Sequence, residues 1–284
     1  MQTRNVGIDA ARAVALIAMM GAHLTVQEGI AAQVVFGFPA ALFAFIAGVS
    51  MGYMRARPAA FIVRGVCLIA LHIVLVPFAG TIEVVLGTIG VCMALLAWAP
   101  RWNTPCLLWL FAALAFGSAW LAPSAQPYPP LMWAALMVAG LLFQRWMPLV
   151  TGCAVGAVLF GSVLFGADLA LRWTTQLPPL LDATGHTGGL IDVIGSAGCA
   201  VSICSLCCLA QCRLRWLAPL GRMPLTVYCL HILTAQWLGI WASLTGAALI
   251  SYAWLACFPR GPVETVIHRI TAVVKEKQNE ETRS

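Results

Sequence analysis

The chain has 284 residues; 61% are hydrophobic, only 9% are charged, and the formal net charge is +6. A soluble domain carries roughly 25% charged residues, so the soluble globular, disordered and nucleic-acid-binding classes are excluded. The basic residues stand singly between apolar stretches, which is not the footprint of a nucleic-acid partner. The composition is that of an all-α, polytopic integral membrane helix bundle.

A hydrocarbon core of ~30 Å is crossed by about 20 helical residues. Ten segments qualify: 6–24, 34–53, 60–79, 82–99, 105–122, 130–147, 149–167, 189–211, 223–240 and 242–258, the last being the weakest. Residues Met1 to Ile8 are polar and lack a small-residue cleavage site, so the first segment reads as an uncleaved anchor. No charge run or Ser-rich linker divides the chain. One transmembrane domain over 1–258 and a cytoplasmic tail over 259–284 are expected. Trp237 and Trp241 then fall near a membrane interface, where indole is favoured.

Basic residues supply the orientation. Arg4, Arg55, Arg57, Arg64, Arg101, Arg145, Arg213, Arg215, Arg222 and the tail residues Arg260, Arg269, Lys275, Lys277 and Arg283 fall on one side of the alternating segments. The other side has only Arg172, with Glu28, Glu83, Asp168, Asp182 and Asp192. The positive-inside rule then puts both termini in the cytoplasm.

The first segment holds Asp9, Arg12 and His23. Eleven steps of ~100° return to nearly the same helix face, ~16 Å further along the axis. Asp9 lies three residues before Arg12 and shares that face. Charge inside a spanning segment is costly, which makes these residues functional candidates. The structural alternative is an Arg12 that snorkels to the headgroups beside Asp9, with His23 marking the interface. In the functional reading His23 is a general base or nucleophile and Arg12 grips an anionic group such as a phosphate.

His72 lies midway along the third segment, and His231 midway along the ninth with Tyr228 one turn before it. Each is a core residue bonded to a neighbouring helix or a cavity residue of second rank. Glu83, at the outer start of the fourth segment, either orders His72, lines the same cavity or faces water. Gly48, Gly52, Gly87 and Gly90 have the small-residue spacing of close helix approach. Asp168 and Arg172, one turn apart, read as a local ion pair at the outer interface, worth little. His186 sits in the longest outer loop, Asp182-Ala-Thr-Gly-His186-Thr-Gly-Gly, but a zinc site with Asp182 and Asp192 fits no ligand spacing. Cys204, Cys207, Cys208 and Cys212 have no His or acidic companion, which favours a small-residue packing face over a soft-metal centre.

The run Ile8-Asp9-Ala-Ala-Arg12, ten residues and then His23 resembles the first helix of the transmembrane acyltransferase superfamily, which includes bacterial membrane acyltransferases and relatives of heparan-α-glucosaminide N-acetyltransferase. Phe38-Pro39 to Tyr53, with Phe43-Ala-Phe-Ile-Ala-Gly48-Val-Ser50, is similar to its second helix, and Arg64-Gly65 opens a similar third. Pro219-Leu-Gly221-Arg222-Met-Pro-Leu-Thr226-Val-Tyr228-Cys-Leu-His231 resembles its penultimate segment. Arg260-Gly261-Pro262-Val-Glu264 with Arg269 resembles its C-terminal signature. The chain departs from the usual Arg-Gly pair in having Arg12-Ala13.

The resemblance implies an acyl-CoA-dependent O- or N-acyltransferase in a bacterial cytoplasmic membrane. An acyl-CoA, by default acetyl-CoA, is the donor substrate, and no cofactor is tightly bound. Its phosphates lie near Arg12, Arg64 and Arg222, its thioester meets His23, and an envelope sugar or glycolipid accepts the acyl group. Asp9, Tyr228, His72, His231 and Glu83 complete the expected site. The alternative is a transporter or flippase for a small solute or lipid-linked glycan, whose cue is paired broken helices.

Overall fold

The computed structural model describes residues 5–25, 37–54, 56–122, 129–172 and 177–281. Arg4, Glu28, Arg55 and Arg283 lie outside the described residues. Within them the chain forms helices and no strand: α1 (Val6–Leu24), α2 (Phe38–Tyr53), α3 (Pro58–Leu75, continued by a 3-10 turn to Phe78), α4 (Leu86–Leu95), α5 (Thr104–Leu121), α6 (Pro130–Gly152), α7 (Ala154–Arg172), α8 (Leu190–Leu209), α9 (Ala218–Arg222), α10 (Pro224–Thr234), α11 (Ile240–Cys257) and α12 (Pro262–Glu281).

Seven of these, α1, α3, α5, α6, α7, α8 and α11, are long and apolar enough to cross a membrane. The three other predicted spans, 34–53, 82–99 and 223–240, hold the shorter apolar helices α2, α4 and α10, of 16, 10 and 11 residues. Local chemistry ends each of them early. Gly37, at φ 97°, and Pro39 start α2 at Phe38. The stretch before α4 is folded as a turn, and α4 gives way to a 3-10 turn at Ala99–Arg101. Pro224 opens α10, and the turn after Thr234 separates it from α11.

Burial separates an inner from an outer ring. The apolar windows of α1, α6 and α8 are each 56% buried, whereas those of α5, α7 and α11 are 22%, 17% and 17% buried. Glycine sets the inner spacing. A Cβ on Gly48 of α2 would stand 1.9 Å from the Met137 carbonyl oxygen of α6, and one on Gly140 of α6 would stand 2.0 Å from that of Phe45. Gly65 of α3 and Gly90 of α4 meet in the same reciprocal way. This is the close backbone approach expected of small residues between membrane helices. Cys204, Cys207 and Cys208 are buried, and Gly7 packs onto the Cys208 backbone. Among the described residues no three His, Cys, Asp or Glu side chains are grouped to hold a metal.

The Asp168–Arg172 pair differs from the sequence expectation. It is buried, with side chains 0% and 2% exposed and an Arg172 Nη2 to Asp168 Oδ2 distance of 3.1 Å. Asp192 of α8 stands 4.0 Å from the same Nη2, and the guanidinium lies 4.5 Å from the centre of the Phe38 ring. The group joins α7, α8 and α2 internally rather than decorating an interface.

The glycine contacts make a graded expectation. Gly48→Leu forces α2 away from α6 and costs about 1–3 kcal/mol, the usual penalty of overpacking. Gly246→Leu, where a Cβ meets nothing within 4 Å, leaves the thermal midpoint in detergent unchanged. Equal midpoints for the two variants would contradict the close approach.

Candidate functional site

The polar face of α1 begins with a capped start, where the Asn5 side chain accepts from the backbone N–H of Gly7 and Ile8. Asp9, on the first turn, is buried. Its Oδ1 accepts from Arg12 Nη1 at 2.5 Å, and Arg12 Nη2 donates to Ser50 Oγ of α2 at 2.8 Å. Ser50 in turn donates to the Ile46 carbonyl at 2.7 Å. Two fixed acceptors on its two terminal nitrogens hold the Arg12 head in one orientation.

Arg12 opens onto a cavity of about 480 Å³, the size class of a small-molecule site. The four guanidiniums of Arg12, Arg64, Arg222 and Arg260 line it, against the two carboxylates of Asp9 and Glu264. Among the described residues two positive charges are therefore left unbalanced, with His268 also on the lining. Arg64, from α3, has its Nη1 3.4 Å from the Met54 sulfur. A thioether is a weak acceptor, so the charge is poorly satisfied by the protein. Arg222 donates from Nη2 to the Pro259 carbonyl at 3.2 Å, while its Nε is buried with no hydrogen-bond partner among the described residues.

The rest of the lining includes the apolar Phe43, Leu68, Leu86, Ile89 and Met93, and Tyr228. Arg222 is brought in by Gly221, since a Cβ there would stand 1.7 Å from the Asp9 carbonyl oxygen. Glu264, in the first turn of α12, accepts from the backbone N–H of Leu225 (2.7 Å) and Thr226 (3.2 Å) and from Thr226 Oγ1 (2.6 Å). It is thus a carboxylate at the N-terminus of α10, where the helix dipole favours it.

The structure gathers Asp9, Arg12, Arg64, Arg222 and Tyr228 at this cavity and leaves the four other expected residues off its walls. His23 is one of these four: it meets His231, Nδ1 to Nε2 at 3.1 Å, with the rings 10° from parallel. His231 is buried, and its Nδ1 has no hydrogen-bond partner among the described residues. The pair shares a proton at this contact. When Nδ1 of His23 carries it, Nε2 of His23 is left as a base. Arg12 and His23 thus belong to two centres, linked by the single turn of α10 between Tyr228 and His231.

His72 and Glu83 do not join either centre. His72 Nδ1 lies 2.8 Å from the Val84 carbonyl; a carbonyl only accepts, so Nδ1 carries the hydrogen. Tyr228 OH accepts from Val85 N at 3.3 Å. The two side chains hold the turn that leads into α4. Glu83 is exposed and lies outside the cavity lining, facing water rather than ordering His72.

Ser50, Arg260 and Glu264 are the site residues that sequence reasoning missed. The last two stand in the C-terminal stretch Arg260-Gly261-Pro262-Val-Glu264, whose signal was its resemblance and not its hydropathy. Ser50 gives no signal of its own.

The loop before α8 is closed on itself. Asp182 Oδ1 accepts from Thr184 N, and Asp192 accepts from Gly188 N and Ser196 Oγ. His186 stands there with φ 68°. Comparison with protein-family models and with curated proteins finds no match for the chain.

Burial, with the charge of Arg172 second, pushes the His186 imidazole down to about 4 from its ordinary 6.5. Between these values the unfolded chain binds a proton that the folded chain refuses. Stability is therefore complete above pH 6.5 and falls as the pH drops towards 4. His186→Asn keeps a side chain that tolerates the left-handed backbone and has no proton to bind. Its thermal midpoint falls less than that of the native chain over this window; equal falls assign the acid sensitivity elsewhere.

Proposed function

We propose that the chain is an integral membrane acyltransferase, its seven long helices and three short ones embedded in a bacterial cytoplasmic membrane with both termini in the cytoplasm. It moves an acyl group, by default acetyl, from cytosolic acyl-CoA to a hydroxyl or amine of an envelope sugar, glycolipid or similar acceptor. The observation that carries this reading is a cavity lined by four arginines against two carboxylates together with a large apolar wall. It suits a ligand with a multiply anionic head and a slender uncharged arm. The resemblance of Asp9, Arg12 and His23 to the acyltransferase first helix agrees with it.

In this reading the phosphates of the donor lie on Arg12, Arg64, Arg222 and Arg260. The arm follows Phe43, Leu86 and Ile89 to Tyr228. His23 and His231 stand roughly 5 Å further along the α10 axis. His23 takes the proton of the acceptor O–H or N–H at Nε2 while Nδ1–H donates to His231. The acceptor oxygen or nitrogen bonds to the thioester carbonyl carbon, the carbon–sulfur bond breaks, and the proton on His23 passes to the departing thiolate. His231, buried and aligned with His23, orients the ring.

One observation favours the second reading, a transporter or flippase for a small solute or lipid-linked glycan. The helices α4 and α10, of 10 and 11 residues, place helix ends inside the bundle, as discontinuous helices of transporters do.

Binding and turnover separate the two. The purified protein binds acetyl-CoA and releases free CoA slowly in water. Arg64→Gln weakens binding by about tenfold or more, the weight of a hydrogen bond to a charged group. His23→Ala binds as before and releases no CoA. A native protein that binds no acetyl-CoA sinks the acyltransferase reading. Unchanged turnover by His23→Ala removes His23 from the chemistry and leaves the class standing.

A further inference from the structure

Helix α12 has three kinds of side. Ile267 and Thr271 are buried against the body of the protein, where the helix meets α3 and α10. Glu264 and His268 turn towards the cavity. Val266, Ile270 and Val273 form the third side and are 58%, 44% and 54% exposed. Their spacing of four and then three residues confines them to an arc of ~60°. A contiguous apolar stripe left open on a helix marks a surface that something covers.

The neighbourhood says what covers it. The helix α11 is long and apolar enough to cross a membrane and ends at Cys257, so only residues 258–261 separate it from α12. At ~3.5 Å per residue the start of α12 stands within about 18 Å of the point where α11 leaves the bilayer. Aromatic side chains mark that level. The Trp254 and Phe258 rings stack at 4.6 Å, Trp254 Nε1 donates to the Arg260 carbonyl at 2.9 Å, and Tyr252 OH donates to the Trp216 carbonyl at 2.6 Å. Phe258 and Trp216 are themselves exposed, as residues of an interfacial aromatic belt are. Arg269 flanks the stripe and is exposed, as are Arg213 and Arg215 in the loop that holds Trp216. Their charge matches anionic lipid headgroups. A second copy of the chain fits less well, because a stable interface takes about 800 Å² from each partner and a stripe of three medium-sized side chains falls far short of that.

We infer that α12 is an amphipathic surface helix, lying in the headgroup layer with Val266, Ile270 and Val273 among the lipids and Arg269 on their phosphates, and that this seat holds Arg260 and Glu264 at the cavity. The inference rests on the reading of the chain as membrane-embedded. Occupation of the cavity is thereby tied to the membrane surface, since the segment that carries two of its charged residues is moored there.

Depth measurements on the full chain test this. The protein is placed in nanodiscs of phosphatidylcholine and phosphatidylglycerol, with a genetically encoded fluorescent amino acid at Val273 or at Leu249. Leu249 is the control, being midway along α11 and 71% exposed. The lipids carry a nitroxide quencher either near the headgroup or at the chain end. At Val273 the shallow quencher acts about twofold more strongly than the deep one, because a surface helix sinks only ~5–10 Å. At Leu249 the deep quencher is the stronger. Quenching of Leu249 with none at Val273 overturns the inference while the membrane reading stands. Emission at Val273 that is blue-shifted yet untouched by lipid quenchers shows a protein cover, such as a second copy, and overturns it equally. Stronger deep than shallow quenching at Val273 makes α12 a buried segment and also rejects it. If Leu249 is unquenched, the membrane reading falls and the inference with it.

Discussion

A guanidinium inside a bundle of apolar helices has to be solvated by the protein itself, since each unsolvated ion costs several kcal/mol. Arg12 is solvated by Asp9 within its own helix and by Ser50 on α2. That second bond fixes how α1 and α2 face one another. Ser50 lies two residues beyond Gly48, whose contact with the Met137 backbone sets α2 against α6. On the other side the Asp9 carbonyl receives Gly221, and Arg222 follows it into the cavity. Asp9 therefore holds Arg12 through its side chain and α9 through its backbone. The position of the arginine cluster follows from one half-buried charge and the two helices it needs.

The local part of this arrangement was legible in the sequence. Asp9, Arg12 and their shared face follow from helical spacing alone, and the close contacts of Gly48 and Gly90 follow from small-residue spacing between apolar neighbours, although Gly65, the partner of Gly90, was not marked by it. The non-local part was not. His23 and His231 are 208 residues apart, and nothing in either segment says that their rings meet. Arg172 and Asp168 read as an exposed pair, because hydropathy cannot tell which face of α7 turns inward; the third member, Asp192, comes from another helix. Glu83 sat beside the fourth segment, but the turn before α4 directs it to water and gives the Val84 carbonyl to His72 instead.

The lengths of α2, α4 and α10 were also hidden. A hydropathy window of about 20 residues averages over a turn whose residues are themselves apolar, such as Ile82, Val84 and Val85. What ends these helices is hydrogen bonding and backbone geometry, to which an average of side-chain polarity is blind.

Those short lengths account for the polarity of the cavity. A helix that crosses the whole bilayer leaves its unsatisfied end groups in water, while one of 10 or 11 residues leaves them among apolar side chains. The N-terminal N–H groups of α10 are met by Glu264, and the N–H of Val85 before α4 is met by Tyr228. In the last turn of α2, Ser50 accepts from Arg12 and donates to the Ile46 carbonyl of its own helix. Glu264, Tyr228, Arg12 and Ser50 all line the same cavity. Its polar groups thus include those that satisfy two helix ends inside the bundle, and the arginines exceed what that task requires. Four guanidiniums stand where two carboxylates are present, and Arg64 has a sulfur atom where an anionic oxygen would serve it better. Satisfying helix ends does not require that surplus, and in the proposed acyltransferase reading it is what meets the phosphates of the donor.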